Sequence, residues 1–262
     1  MTDTWRFIDT GPSFATYNMA LDEAIATFVK KDCAPPTLRL YGWDVPSVSI
    51  GYFQKISDIN IEYCNEHNIP IVRRQTGGRA ILHNHELTYS FSVKTTQGLF
   101  SKGVLDSYRK ISNAFNNALL KVGLLPETRL RRRSHRSRSF LCFNSTSYGE
   151  ITINNKKVIG SAQKRWSDGL LQQGSIPYSV DKDDTIKVFK IEDAHVTQDR
   201  IIGLKDIFPD FNHDTFKKII KTSFEETFCI WLIPSSPSPE EISLAREIES
   251  QKYLTEQWNY RR

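Results

Sequence analysis

The 262-residue sequence lacks any uninterrupted apolar run long enough to span a bilayer, so no membrane-spanning segment is predicted. Its first residues contain no apolar stretch of the kind found in secretory signal peptides. Only four cysteines are present, they lie far apart, and no two of them form a CxxC pair. This spacing is typical of reduced thiols, so we expect a cytoplasmic protein without a disulfide framework or a zinc site.

A large charge of one sign is also missing. The 35 basic and 30 acidic residues give a formal net charge of +5, which is too small to indicate a nucleic-acid-binding protein by itself. The basic residues are distributed unevenly, since one short segment contains Arg129, Arg131, Arg132, Arg133, Arg136 and Arg138. Such a cluster can meet an acidic partner surface or form a solvated loop.

Apolar periodicity indicates a mixture of helices and strands. Helices are predicted at residues 14–29, 59–67, 105–122, 215–228 and 239–251, with Asp58 as a candidate N-cap. Strands are predicted at residues 5–8, 37–41, 47–52, 69–72, 87–93, 147–153, 157–165 and 170–178. The pairs Asn154-Asn155 and Asp168-Gly169 are typical hairpin turns, so the last three strands should be consecutive and antiparallel. Strands in the middle with helices around them predict an α+β fold with a largely antiparallel sheet.

The length suits one large domain, and neither internal repeats nor low-complexity segments are present. Residues 234–239, with proline at both ends, are the best candidate for a linker or domain edge. We therefore expect a catalytic domain over residues 1–233. The C-terminal helix, within residues 234–262, should pack on the same domain.

The most informative segment is a basic turn that contains two adjacent glycines. The glycines are Gly77 and Gly78, and the arginines around them are Arg73, Arg74 and Arg79. Glycines allow a sharp turn and a close approach to a ligand, and arginines supply planar donors for phosphate or carboxylate. The segment therefore suits a phosphate-bearing, partly apolar ligand. A simple hairpin turn with solvated arginines is the alternative, and the glycine pair alone favours that hairpin.

Four segments, taken together, resemble the superfamily of lipoate-protein ligases and octanoyltransferases, whose catalytic fold is shared with biotin protein ligases. They are residues 18–23 (Asn-Met-Ala-Leu-Asp-Glu), 73–90 (the basic turn and the strand after it), 157–163 (Lys-Val-Ile-Gly-Ser-Ala-Gln), and Lys252-Tyr253 with 258–261 (Trp-Asn-Tyr-Arg). They cover the chain from end to end in the family's order, which is far more specific than any one of them. The chain is most similar to the octanoyltransferases that carry a cysteine nucleophile, because Cys142 lies upstream of the hairpin that carries Lys157.

This resemblance implies an acyl transfer in lipoate biosynthesis. An octanoyl group held as a thioester on acyl carrier protein would move to the lysine of a lipoyl carrier of the glycine-cleavage H protein type. A thioester is already activated, so neither a cofactor nor a metal is expected, and neither nucleic acid nor a membrane is an expected partner. One alternative is an ATP-dependent lipoate or biotin ligase, and another is an octanoyl amidotransferase acting between carrier domains. A third is a non-catalytic module that binds RNA or an acidic protein through its arginine segment.

The resemblance also implies the roles of particular residues. Cys142 would be the nucleophile, and the ammonium of Lys157 would stabilise its thiolate and hold the thioester carbonyl. A backbone amide near Gly160 or Ser161 would assist at the oxyanion. The residues expected to bind substrate are Arg73, Arg74, Thr76, Gly77, Gly78, Arg79, His83, Gly160, Ser161 and Ala162.

Local sequence leaves alternatives for several of these residues. A free cysteine such as Cys142 is more often a small buried apolar residue than a nucleophile. Lys157 is adjacent to Lys156, and strand alternation says only that the two side chains face opposite sides. The first-helix acids Asp22 and Glu23 suit a solvated or helix-packing face, and we assign them no catalytic role.

Aromatic and imidazole side chains supply further candidates near the basic turn. Trp43, Tyr52 and Phe53 could form an apolar slot for an acyl chain, although core packing is the commoner use of each. His83 and His85 are expected to be scaffold beside the site. No cluster of metal-ligating residues accompanies them.

Overall fold

The computed structural model describes residues 3–96, 98–128, 150–191 and 201–262. The first half contains β1 (Thr4–Ser13), α1 (Ala15–Lys30), β2 (Thr37–Trp43), β3 (Ser47–Ile50), α2 (Ile61–Glu66), β4 (Ile71–Arg73), β5 (Ile81–His83), β6 (Glu86–Lys94), α3 (Val104–Lys121) and β7 (Glu127–Thr128). The second half contains β8 (Ile151–Ile153), β9 (Lys156–Arg165), β10 (Gly169–Pro177), α4 (Lys182–Val188), α5 (Leu204–Ile207), α6 (His213–Phe228), β11 (Trp231–Ser235), α7 (Pro239–Ile248) and α8 (Glu256–Asn259). A π-helical turn, Glu249–Tyr253, follows α7 directly.

Within the described residues, the strands form two sheets. The large sheet has the order β11-β1-β2-β6-β10-β9-β8-β7, and the small sheet has the order β4-β3-β5. In the large sheet, strand β1 pairs in parallel with β11 and with β2. The remaining neighbours in that sheet, from β2 through β6, β10, β9 and β8 to β7, all pair antiparallel. The predicted α+β class with a largely antiparallel mixed sheet is confirmed.

The large sheet separates two apolar cores. On one face, α3 and α6 pack through aromatic side chains such as Phe115 and Phe224 against Phe91 of β6. On the other face, α1 packs against β1 and α7, with Ile25 and Ala245 in the shared core. The small sheet has its own core with α2 and α4, and α1 contacts both β3 and β4. A cleft therefore forms where the small sheet meets the α1 side of the large sheet.

Helix α7 shows how local capping chemistry also fixes tertiary structure. Its N-cap Ser238 precedes Pro239 at the first helical position, and the Ser238 side chain accepts a hydrogen bond from the Glu241 N–H (3.2 Å). In return, the Glu241 carboxylate accepts from the Ser238 N–H (2.8 Å), which completes a capping box. The same carboxylate pairs with Arg6 of β1 (2.6 Å), so the helix start is joined to the large sheet.

Most predicted elements are present, and the differences are local. Asp58 is not the cap of α2, because the side chain of Asn60 accepts the hydrogen bond from the Tyr63 N–H (3.3 Å). Strand β5, within the basic turn region, was not expected from the sequence. The predicted boundary between residues 233 and 234 falls inside β11, which pairs with β1. The start of the strand predicted at 147–153 lies outside the described residues.

Two kinds of feature are absent from the part of the chain that the structure describes. No helix there is long and apolar enough to cross a membrane. No group of three or more His, Cys, Asp or Glu side chains there is placed to hold a metal ion.

Candidate active site

A cavity of about 340 Å³ lies between the small sheet and the large sheet. It is lined by Met19, Tyr41, Trp43, Ser49, Arg74, Ile81, His83, Thr88, Gly160, Ser161, Ala162, Gln173, Gly174 and Ser175. The lining is mostly apolar surface with a few polar groups, as is usual for pockets that bind small molecules. The cavity therefore suits a small ligand with a long apolar part.

The basic Gly-Gly turn forms one wall of this cavity through Arg74. The buried Arg74 guanidinium donates to the carbonyls of Gly77 (2.8 Å) and Arg79 (2.7 Å), and to the Ser49 carbonyl (2.9 Å). Thr76 donates to Gln173 of β10 (2.9 Å), which ties the turn to the large sheet. Strands β4 and β5 each pair with β3 and not with one another, so the turn is not a simple hairpin.

Arg73 has a different environment from the one expected. Its side chain is fully buried, does not line the cavity, and donates to the carbonyls of Gly51 (2.9 Å), Gln54 (2.7 Å) and Asn259 (3.2 Å). Burial lowers the pKa of Arg73 to about 10, and the neighbouring Arg261 adds to this effect. The expectation that Arg73 meets a ligand is therefore corrected: this guanidinium joins the turn region to the C-terminal segment.

Gly51 sets the position of the Gly-Gly turn, and its replacement provides a test. A Cβ on Gly51 would lie 1.9 Å from the Gly78 carbonyl oxygen, which no real contact allows, so the turn must move in Gly51→Ala. We expect the free energy of unfolding to fall by about 1–3 kcal/mol, as in other overpacked sites. Chemical denaturation should be compared with Gly77→Ala, where the added Cβ meets no heavy atom within 4 Å. Equal losses in the two variants would contradict this placement of the turn.

His83 lies within a buried polar chain on the cavity wall. Its Nε2 is 2.7 Å from the Ser49 Oγ, and its Nδ1 is 2.7 Å from a carboxylate oxygen of Glu86. Trp43 stacks on the imidazole with ring centroids 4.0 Å apart. Glu86 also accepts from Ser175 (2.6 Å), which lies on β10. These contacts hold the imidazole in one orientation, consistent with the expected scaffold role, whereas His85 is exposed and outside the cavity.

Asp22 of α1 anchors the floor of the cavity. One carboxylate oxygen pairs with Arg39 (2.7 Å) and accepts from Ser90 (2.6 Å). The other accepts from Tyr41 (2.9 Å) and from Gln173 (2.8 Å). Burial, followed by the charge of Asp22, raises the pKa of Tyr41 well above its usual value, so this phenol stays protonated. Because Tyr41 and Gln173 both line the cavity, the network gives the floor a fixed shape before any ligand binds.

Lys157 of β9 and Glu150, which directly precedes β8, form a buried ion pair. Their side chains are only 2% and 3% exposed, and the ammonium contacts the Glu150 carboxylate directly. Lys156, by contrast, is half-buried, so the structure turns Lys157 and not its neighbour to the inside. Lys157 lies on β9 three residues before Gly160, where the strand begins to line the cavity. Cys142 and the arginines of residues 129–138 lie outside the described residues.

The structure brings together most of the residues expected to bind substrate. Arg74, His83, Gly160, Ser161 and Ala162 line the cavity. Thr76, Gly77 and Arg79 are bonded to lining residues, and Gly78 contacts Gly51. The structure does not place Tyr52 and Phe53 in the lining, and Phe53 is 66% exposed. Of the aromatic candidates, Trp43 alone lines the cavity within the described residues.

Sequence reasoning missed several polar residues of the site. They are Ser49, Glu86, Glu150, Gln173 and Ser175. Two had a detectable signal: Glu86 is three residues after His83, and Gln173 belongs to a Gln-Gln pair that follows two leucines in a predicted strand. The others are isolated polar residues whose partners are distant in sequence, so no local pattern marked them.

Comparisons with known proteins agree with this geometry. The model of the lipoyl protein ligase A/B catalytic domain matches residues 15–225. The octanoyltransferase LipM of Halalkalibacterium halodurans is 35% identical, with 99% of this chain and 100% of that protein covered. The octanoyltransferase LipM of Bacillus subtilis is 34% identical, with 99% of each covered.

Solved structures show the same fold. A lipoate-protein ligase A bound with ATP superposes with a TM-score of 0.82 at 26% identity, covering 99% of each chain. A bipartite lipoate protein ligase from Thermoplasma acidophilum, described with its E2 lipoyl domain, gives a TM-score of 0.83 at 25% identity, covering 98% of this chain and 96% of that one. The predicted fold and octanoyltransferase class are confirmed, and the ligase alternative is not favoured. The chain belongs to the lipoyl protein ligase A/B catalytic domain family.

Proposed function

We propose that this protein is an octanoyltransferase that moves octanoate from octanoyl-acyl carrier protein to the lysine of a lipoyl carrier domain. Identities of 34–35% along the whole chain with octanoyltransferases carry this proposal. The apolar cavity beside the Gly-Gly turn supports it independently. Burying the seven carbons beyond the carbonyl would contribute roughly 5 kcal/mol at about 0.8 kcal/mol per methylene, which favours an acyl chain over a polar ligand.

The reaction would proceed in two steps through Cys142. Its thiolate attacks the thioester carbonyl, the carbon–sulfur bond to the carrier breaks, and the carrier leaves as a thiol after gaining a proton. The acceptor lysine, as a free amine, then attacks the Cys142 thioester, which forms an amide and releases the thiol. A thioester carries enough free energy for both steps, so ATP is not consumed.

Lys157 supports this mechanism by its position. Its ammonium contacts Glu150, which lies eight residues after Cys142 in the chain and one residue before β8. A buried ammonium near the nucleophile would stabilise the thiolate and the developing oxyanion more strongly than an exposed one, because water screens it less. The backbone amides of Gly160 and Ser161, at the edge of the cavity, are the proposed additional donors.

We also propose an acceptor and a cellular location. The Thermoplasma acidophilum ligase is described together with its E2 lipoyl domain, which supports a lipoyl domain as the acceptor here. Within that class, a glycine-cleavage H protein type of carrier is our specific proposal, and acyl carrier protein is the proposed donor. Both carriers would be met in the cytoplasm.

A single incubation tests the donor, the nucleophile and the independence from ATP together. The protein is mixed with octanoyl-acyl carrier protein without ATP, and its intact mass is measured before and after addition of an apo lipoyl domain. We expect one octanoyl adduct on the enzyme, which peptide mapping places on Cys142 and which the acceptor removes. Transfer that requires ATP and free octanoate would contradict the proposal and favour a ligase. An adduct formed only from an octanoylated lipoyl domain would indicate amidotransfer.

A further inference from the structure

A cluster of cations surrounds Tyr52 on the outer side of the Gly-Gly turn. The Arg261 guanidinium carbon lies 4.1 Å from the Tyr52 ring centroid and 3.9 Å from that of Trp258. The Lys164 ammonium lies 5.2 Å from the Tyr52 centroid, and that of Lys252 lies 4.0 Å from Trp258. We call Tyr52, Trp258, Lys164, Lys252 and Arg261 the cationic rim. Its members come from three distant parts of the chain and meet at one place.

The cationic rim adjoins the cavity. The Tyr52 N–H donates to the Thr76 carbonyl (2.9 Å), so the backbone of Tyr52 runs alongside the turn. On β9, Ala162 lines the cavity, and Lys164 follows two residues later. Side chains two residues apart on a strand project from the same face, so Lys164 extends from the cavity wall toward the outside. A ligand whose apolar end fills the cavity would pass this cluster as it leaves.

The charge of the cationic rim is mostly uncompensated. Lys252 pairs with Glu23 (2.7 Å), but among the described residues no carboxylate lies within ion-pair distance of Lys164 or Arg261. Hydrogen bonding with Arg261, and then its charge, lowers the pKa of the Tyr52 phenol, as expected beside excess positive charge. The side chains of Lys164, Arg261 and Tyr52 are partly exposed, so an anion can reach them from solvent.

Two arginines of the turn, Arg73 and Arg74, are not accessible to an anion from solvent. Arg73 is fully buried and Arg74 is 3% exposed, and both guanidinium groups donate to main-chain carbonyls. Most of their donors therefore hold the turn, and the Nη2 of Arg73, which has no hydrogen-bond partner among the described residues, is closed off from solvent. A phosphate-bearing ligand would find accessible cations further out, at Lys164 and Arg261.

We propose that Lys164 and Arg261 bind the phosphodiester of the phosphopantetheine arm that carries the acyl group of the donor. This inference rests on the proposed function, because that function makes the donor a carrier-bound thioester. The arm places its acyl end and its phosphate at opposite ends of an extended chain, which matches an inner apolar cavity and an outer cationic rim. A guanidinium and an ammonium can bind one phosphate together, the first with paired donors and the second as a point charge.

The test uses two unreactive ligands that differ only in the phosphate. They are the octanoyl amide analogues of 4′-phosphopantetheine and of pantetheine, in which an amide replaces the thioester and cannot acylate the enzyme. Calorimetry measures the dissociation constant of each ligand for the wild type and for the double variant Lys164→Gln/Arg261→Gln. We expect the phosphorylated ligand to bind the double variant about tenfold more weakly, in line with the loss of charge-assisted hydrogen bonds. Binding of the pantetheine ligand should be unchanged.

Two matched variants support this comparison. Lys218→Gln removes an exposed lysine from α6, on the opposite face of the large sheet, and should leave both dissociation constants unchanged. Arg261→Lys keeps the charge and should retain most of the preference for the phosphorylated ligand. Thermal unfolding of each variant shows whether the fold is intact.

Equal weakening of both ligands in the double variant would overturn the phosphate site. A loss of affinity seen only with intact octanoyl-acyl carrier protein would also overturn it, because the cationic rim would then contact the acidic surface of the carrier protein and not the phosphate. Acyl-enzyme formation is measured separately in the same preparations. A wild type that prefers the phosphorylated ligand but is never acylated would refute the proposed function while retaining the phosphate site. A wild type that is acylated but does not prefer the phosphorylated ligand would support the proposed function and refute the phosphate site.

Discussion

Replacement of Cys142 by alanine should abolish octanoyl transfer, with a loss of roughly 10⁴-fold or more in turnover, as when other covalent enzymes lose their nucleophile. In the proposed mechanism Cys142 holds the acyl chain between the two carriers, so both half-reactions should stop together. Turnover is measured by the mass shift of an apo lipoyl domain, and acylation by the intact mass of the enzyme. Transfer by Cys142→Ala at a normal rate would show that another residue is the nucleophile.

The remaining cysteines provide matched controls. Cys33 and Cys229 are exposed free thiols, so Cys33→Ala and Cys229→Ala should retain full transfer. Cys64 is buried in the core of the small sheet, and burial raises the pKa of Cys64 to about 11. A thiol that remains protonated at neutral pH is a poor nucleophile, so Cys64 should stay unmodified by octanoyl donors.

Replacement of Lys157 by methionine should lower turnover by about 10²- to 10³-fold, which is the usual effect of removing one electrostatic group from an oxyanion site. Methionine has a similar length and keeps the packing of β9, but it has no charge to stabilise a thiolate. The variant should also be less stable, because it leaves the Glu150 carboxylate buried without the ammonium that it contacts. Breaking a buried pair in this way costs about 3–5 kcal/mol in the free energy of unfolding.

A second variant separates these two effects. In Lys157→Met/Glu150→Gln the buried charge is removed together with its partner, so most of the stability should return while turnover stays low. Lys156→Met, which changes the half-buried neighbour, should affect neither quantity. Recovery of turnover in the double variant would mean that Lys157 acts only through the stability of the fold.

The sequence predicted the fold well because most of its elements are marked by local patterns. Helix α3 has an apolar stripe, and the β8–β9 turn has two asparagines with positive φ (51° and 62°), as such hairpins require. Strand β5 was missed because it is only three residues long and directly follows the glycine turn. The cap of α2 was misplaced by two residues because Asp58 and Asn60 are both good capping residues, and only the backbone geometry distinguishes them.

The site was predicted less completely, because the environment of a charged side chain depends on distant parts of the chain. The residues next to Arg73 in the sequence do not distinguish it from an arginine that binds a ligand. Its partners Trp258 and Asn259, however, are 185 and 186 positions away. Lys157 and Arg74 illustrate the same limit, since their burial follows from contacts with Glu150 and Ser49 that no spacing rule marks. Motif resemblance located the relevant segments, but long-range packing decided which donors remain available.

The hydrogen bonds between the C-terminal segment and Arg73 have a consequence for the order in which the protein folds. Asn259 accepts from the Arg73 N–H (2.9 Å), and Trp258 donates to the Arg73 carbonyl (2.8 Å), so β4 completes its hydrogen bonds with residues 185 and 186 positions later in the sequence. Contacts of such large sequence separation form late in folding, because a long loop must close first. On the ribosome, the strands of the large sheet, the last of which ends at Ser235, can therefore pair before Trp258 and Asn259 reach β4. The Gly-Gly turn that follows β4 is then fixed in place only after the large sheet has formed.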